Sequence, residues 1–163
     1  FTYQGDGDLA AIGTAETLHA ANRGENITAV FINNAVYGMT GGQMAPTTML
    51  GMKTTTSPYG RDPEFDGHPI KMSEIIGQVE GACYVERVAV NTPANIRRAK
   101  RALKKAFQNQ LDGKGYSLVE ILSPCPTNWK MSPVDSWKWV DDVMSKKFPL
   151  GTIKDTTGKT HAD

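Results

Sequence analysis

The chain has 163 residues, a net charge of +1 and 39% hydrophobic side chains, enough for one domain with a packed core. A balance this close to neutral removes the global electrostatic case for nucleic acid or an anionic membrane surface. No apolar run approaches the ~20 residues of a membrane-spanning helix and no signal peptide is visible. The two cysteines, Cys83 and Cys125, supply no disulfide framework, so a reducing cytoplasm is the expected setting.

Phe1-Thr2-Tyr3 read as the end of a strand and Gly5-Asp6-Gly7-Asp8 as a sharp turn leaving it, glycine permitting the tight backbone. A chain that opens so near a strand's end predicts the C-terminal part of a longer subunit, with a processed leader as the alternative. Leu9, Ala10, Ile12, Gly13, Leu18 and Ala21 recur at helical spacing, with Gly24 as the stop. Residues 27–32 are nearly all apolar and β-branched, as in a strand buried on both faces of a parallel sheet, and Asn33-Asn34 follow. Residues 36–72 carry Gly, Pro and Thr without a period, and a loop this long is usually functional. Its first part is expected over a ligand and its second against a neighbouring subunit.

A short helix capped by Ser73 is expected over residues 74–81, and a strand with Cys83 in its core over 83–90. Thr92-Pro93 open the clearest helix, which Gly113 ends. Its apolar stripe is Ile96, Ala99, Leu103, Ala106 and Phe107, and six Lys or Arg residues cover the rest as a solvated face or a dock for an acidic partner. Residues 116–122 form the next strand, ending at Ser123-Pro124-Cys125-Pro126. Ser132-Pro133 repeat the cap signal ahead of a stripe of Val134, Trp137, Val140 and Met144. Trp129, Trp137 and Trp139 are expected in packing. The alternation predicts an α/β fold with a mostly parallel sheet flanked by helices, in residues 1–150, followed by a polar tail over 151–163, loose from Thr156 on.

An acidic turn at one strand's C-terminal end and paired amides at another's lie where open α/β sheets bind ligands. Asp6 offers a hard anionic oxygen and Asn34 a neutral one, suited to Mg2+ bridging to a substrate phosphate, while the Gly7 and Asp8 amides open a helix. Glycine and asparagine also make ordinary turns, and spacing alone leaves both alternatives open. His19, His68 and His161 show no metal-ligand spacing.

Gly5-Asp6-Gly7, a gap of 25 residues and Asn33-Asn34 resemble the thiamine diphosphate motif. Together with Tyr37-Gly38-Met39-Thr40-Gly41-Gly42-Gln43 and Ser123-Pro124-Cys125-Pro126-Thr127-Asn128, they resemble the β subunit of 2-oxoacid:ferredoxin oxidoreductases. The resemblance implies thiamine diphosphate in a pocket lined by Gly5, Gly7, Asp8, Met39 and Thr40. Mg2+ would be held by Asp6, the Asn34 side chain and the Val36 carbonyl, with Asn33 supporting the loop. It further implies Cys125 as one ligand of a four-iron four-sulfur cluster whose other three ligands lie upstream of the motif. The activity implied is oxidative decarboxylation of a 2-oxoacid to acyl-CoA and CO2, with an α partner subunit, in some members γ and δ as well, coenzyme A and ferredoxin. By the same resemblance, the glutamate that activates thiamine belongs to another subunit or domain, so no general base is assigned here. In 2-oxoglutarate-type members a lysine often stands where this chain has Gly41; 2-oxoisovalerate is thus at least as good a substrate candidate. The alternatives are a non-oxidative thiamine-dependent lyase or synthase, and a noncatalytic interaction subunit.

Overall fold

A computed structural model describes residues 1–158. Five strands form one sheet in the order β1-β2-β6-β5-β7: β1 (Thr2–Gln4), β2 (Thr28–Asn33), β6 (Tyr116–Leu122), β5 (Ala82–Ala89) and β7 (Gly151–Asp155). The first four are mutually parallel and β7 runs antiparallel to β5, so the expected α/β fold with a mostly parallel sheet is borne out. Parallel strands covered on both faces must be apolar on both, and every residue of β6 is buried.

Helices α1 (Thr14–Asn22) and α3 (Met72–Gly77) cover one face, where Ala21, Met72 and Ile76 meet Phe31, Leu118 and Val85. Helix α4 (Pro93–Leu111) covers the other through Ala99, Ala102 and Ala106, packed on Val30, Val88, Val119 and Ile121. Small alanines let this helix lie close to the sheet, and Thr92 Oγ1 caps it by accepting from the Asn95 amide at 3.1 Å. At the C-terminal ends of the strands a third cluster gathers Ala89 and Leu122 with Trp129 of α5 (Pro126–Trp129). Val140, Met144 and Phe148 join it from the segment after α6 (Pro133–Trp139), through a π-helical turn, Val140–Met144, and α7 (Ser145–Lys147). Ser132 caps α6 as expected, accepting from the Asp135 amide at 3.1 Å.

Four expectations are corrected. The first helix is not continuous: a π-helical turn, Asp8–Ile12, is broken at Gly13, where a Cβ would lie 2.4 Å from the Asp8 carbonyl. The wider turn changes the phase, so Leu9, Ala10 and Ala21 are buried while Ile12 and Leu18 are exposed. Ser73 is not a cap but a buried residue of α3, hydrogen-bonded to Glu120. Trp129 and Trp139 pack with ring centroids 4.5 Å apart at a 52° tilt, whereas Trp137 and Val134 face outward. The polar stretch 151–163 opens as the edge strand β7, whose Ile153 Cγ2 sits 2.7 Å from where a Gly77 Cβ would be. Most of the expected loose tail, with His161, lies outside the described residues.

The aperiodic loop is held from within. After the hairpin of β3 (Val36–Tyr37) and β4 (Gln43–Met44), the chain folds around the buried Arg61 side chain. Its guanidinium donates to the carbonyls of Ala45, Pro46, Thr48, Asp66, Gly67 and His68 at 2.8–3.2 Å. Helix α2 (Pro63–Asp66) lies between these anchor points, capped by the Asp62 side chain.

Candidate functional site

Because β1 and β2 are adjacent and parallel, the turns leaving their C-terminal ends meet. Asp6 leaves β1 and is buried at 3% exposure. Its Oδ1 accepts from the Asn34 amide at 3.2 Å and its Oδ2 from the Ala35 amide at 3.0 Å and from the Thr47 hydroxyl. Ala35 has a positive φ of 61°, a left-handed kink that alanine adopts at a cost of about 1–2 kcal/mol, so other bonds must hold it. Those bonds come from Asp6, from Asn33 Oδ1 accepting at 3.1 Å, and from Thr48 Oγ1 donating to the Ala35 carbonyl at 2.6 Å. Asn34 Oδ1 accepts from the Val36 amide at 3.3 Å, and its backbone carbonyl accepts from Trp129 Nε1 at 3.0 Å.

These loops wall an open cleft of about 720 Å³ lined by Gly5, Asp6, Gly7, Asp8, Asn34, Val36, Met39 and Thr40 among others. All eight residues expected to bind cofactor therefore border one space. They do so unequally. Asp8 Oδ2 accepts from the Gly5 amide at 3.0 Å, Thr40 Oγ1 donates to Gln43 Oε1 at 2.6 Å, and Met39 is fully exposed. A Cβ on Gly7 would meet the Tyr37 ring at 3.3 Å, so the second glycine of the motif makes room for the opposing loop.

Burial pushes the Asp6 carboxyl up to about 7, even though the Thr47 hydroxyl and the Asn34 and Ala35 amides pull it down. No Lys, Arg or His among the described residues forms an ion pair with it. Among the described residues no three His, Cys, Asp or Glu side chains form a self-sufficient metal cage. The donor set is one carboxylate, one amide oxygen and backbone carbonyls, which suits Mg2+ completing its shell with phosphate and water. The residues present fit that group.

Cys125 stands at the head of α5, partly exposed, and its sulfur accepts from Asn128 Nδ2 at 3.2 Å. The same nitrogen reaches the Gly38 carbonyl at 3.0 Å, and a Cβ on Gly38 would lie 3.8 Å from Cys125 Sγ and 3.2 Å from Asn34 Nδ2. The thiol therefore adjoins the loop that carries Asn34. Cys83 is buried in β5 beside Ser117 and α4, as expected of a core residue. A four-iron cluster takes four cysteines, and among the described residues Cys125 alone adjoins the Asn34 loop. Sequence reasoning missed Thr47, Thr48 and Glu120; their only local signal was a threonine pair in a turn-rich stretch and one acid in an apolar strand.

The family described as "Thiamine pyrophosphate enzyme, C-terminal TPP binding domain" matches residues 1–121. Ketoisovalerate oxidoreductase subunit VorA of Methanothermobacter thermautotrophicus is 50% identical over 158 residues, covering 97% of this chain and 33% of that protein. 2-Oxoglutarate synthase subunit KorB of Archaeoglobus fulgidus is 41% identical over 146 residues, covering 89% and 50%. A solved structure of 2-oxoglutarate:ferredoxin oxidoreductase from Magnetococcus marinus, with 2-oxoglutarate, coenzyme A and succinyl-CoA bound, matches with a TM-score of 0.71. Its identity is 25%, over 96% of this chain and 56% of that one. The chain thus spans a third to a half of the length of these curated relatives. With the motif residues on one cleft, it belongs to the thiamine pyrophosphate enzyme family, as a C-terminal TPP-binding domain of the kind carried by 2-oxoacid:ferredoxin oxidoreductase subunits.

Proposed function

We propose that this chain anchors Mg-thiamine diphosphate inside a 2-oxoacid:ferredoxin oxidoreductase, which converts a 2-oxoacid to acyl-CoA and CO2 and reduces ferredoxin. The observation that carries the proposal is the buried Asp6 carboxylate, bonded to the amides of Asn34 and Ala35 at the rim of the cleft. In this arrangement Asp6, Asn34 Oδ1 and the Val36 carbonyl are the protein ligands of Mg2+. Gly5, Gly7 and Asp8 line the wall for the diphosphate, and Met39 and Thr40 form its outer rim. The Thr47 and Thr48 hydroxyls keep the two loop tips from separating. When bound, the cofactor supplies the electron sink for decarboxylation, and the protein supplies position and electrostatics.

Cys125 is proposed as one ligand of a four-iron four-sulfur cluster completed from outside this chain. The partners are an α-type subunit carrying the rest of the substrate pocket, coenzyme A and ferredoxin, in the cytoplasm. Higher identity to the ketoisovalerate enzyme than to the 2-oxoglutarate one, 50% against 41%, favours a branched-chain 2-oxoacid. Gly41 agrees: its φ of 116° at the hairpin tip is a conformation a lysine rarely adopts. The test is calorimetry with thiamine diphosphate and Mg2+ on the full-length subunit. Binding by the wild type and none by Asp6→Ala is the expected result; retention by the variant overturns the assignment.

A further inference from the structure

Arg87 and Glu120 lie side by side on β5 and β6, each 1% exposed, with Arg87 Nε 2.8 Å from Glu120 Oε2. A charged pair inside a sheet is a costly choice where apolar residues of the same size pack as well. The Ser73 hydroxyl also donates to Oε2. Arg87 also donates to both carboxylate oxygens of Glu74 and to the Pro149 carbonyl. One oxygen is left over: Glu120 Oε1 points toward β2 and accepts from Asn33 Nδ2 at 2.7 Å.

That bond decides which way the Asn33 amide faces. A side-chain amide donates from one end and accepts at the other, and a carboxylate oxygen can only accept. Glu120 therefore takes the NH2 end, and Asn33 Oδ1 turns toward the Ala35 amide, which it shares with Asp6 Oδ2. Reversed, Asn33 would set NH2 against N–H at the left-handed residue between Asn34 and Val36. Asn33 is fully buried, so water offers no substitute partner.

We infer that Glu120, held by Arg87 and Ser73, is a positioning residue for the cofactor loop: it orients the Asn33 amide and thereby fixes the turn that presents Asn34 and Val36 beside Asp6. The inference rests on the Mg-thiamine diphosphate assignment above. Buried polar groups behind metal ligands commonly act in this way, and their loss lowers metal affinity about 10- to 100-fold.

Two double variants of the full-length subunit separate orientation from charge. Both remove the ion pair. Arg87→Met with Glu120→Gln keeps an acceptor for Asn33, since the glutamine carbonyl faces it while the amide donates to Ser73. Arg87→Met with Glu120→Met keeps none. Calorimetry with thiamine diphosphate and Mg2+ is run beside apo-protein melting for each. The expected result is near-wild-type affinity for the first and a dissociation constant raised about 10- to 100-fold for the second, a loss larger than its lower melting temperature, set by the unpaired Asn33 amide, accounts for. Equal affinities, high or low, overturn the inference, as does an affinity loss that only follows melting temperature. Should the apolar pair fail to fold, Asn33→Ala removes the same orientation with the ion pair intact and carries the same expectation. Wild-type silence toward the cofactor would instead overturn the site assignment itself.

Discussion

At the scale of single residues, the site is built by side chains that bridge loop tips. Asn128 shows how: one nitrogen serves both the Cys125 sulfur and the Gly38 carbonyl, and its Oδ1 fills the space a Gly42 Cβ would take, 2.8 Å away. The thiol is thus fixed relative to the Asn34 loop, as the proposed cluster ligation requires. Cys125→Ser in the complete complex is expected to lose the cluster's visible absorbance and its iron while keeping thiamine diphosphate. An unchanged spectrum and iron content would remove Cys125 from the ligand set. The positions of Asp6 and Asn34 were legible in the sequence because each follows the end of a strand in one βαβ unit, whereas the proposed ligand role came from the resemblance to the thiamine diphosphate motif. Thr47 was not: it meets Asp6 from 41 residues away, in a stretch with no period. Glu120 was hidden too, because pattern alone cannot pair one acid in an apolar strand with an arginine 33 residues earlier.

At the scale of elements, strands and the long helix followed their patterns closely, since burial on both faces leaves a continuous apolar run and burial on one a periodic stripe. The first helix did not, because a π-helical turn shifts the phase that helical counting assumes. The long loop carries no trace at all: its order comes from Arg61 and six carbonyls, a many-to-one arrangement no local window contains. Arg61→Met would leave buried acceptors without donors, each worth about 1–3 kcal/mol, so a loss of at least ~3 kcal/mol is expected. Urea unfolding measures it, and limited proteolysis should cut first within residues 45–68. A variant as stable and as protease-resistant as the wild type would show that the loop is ordered by something else.

For the whole molecule, the α/β class and the mostly parallel sheet were readable from alternation, while the strand order and the antiparallel edge were not. A half-exposed strand reading Gly-Thr-Ile-Lys-Asp looks like a polar tail until β5 pairs with it. Its end is fastened by Asp155, which binds Lys105 on α4 and Thr157. Burial pushes the Asp155 carboxyl up, but Lys105 and Thr157 outweigh it and hold it below its usual 3.8. A depressed carboxylate stabilises the fold above its unfolded value, and that contribution disappears as pH falls through the folded one. Wild type should therefore exceed Asp155→Asn in unfolding free energy from urea titration at neutral pH by less than about 1 kcal/mol, since the pair is partly solvated. The gap should close below pH 3.8; a gap that persists in acid would show that charge is not its source.

The contact between Gly77 and Ile153 reaches further than its size suggests. Ile153 docks where residue 77 has no side chain, so β7 and the short helix beneath it act as a matched key and keyway. Chimeras that exchange the β7 strand between related subunits will seat properly only when position 77 travels with it.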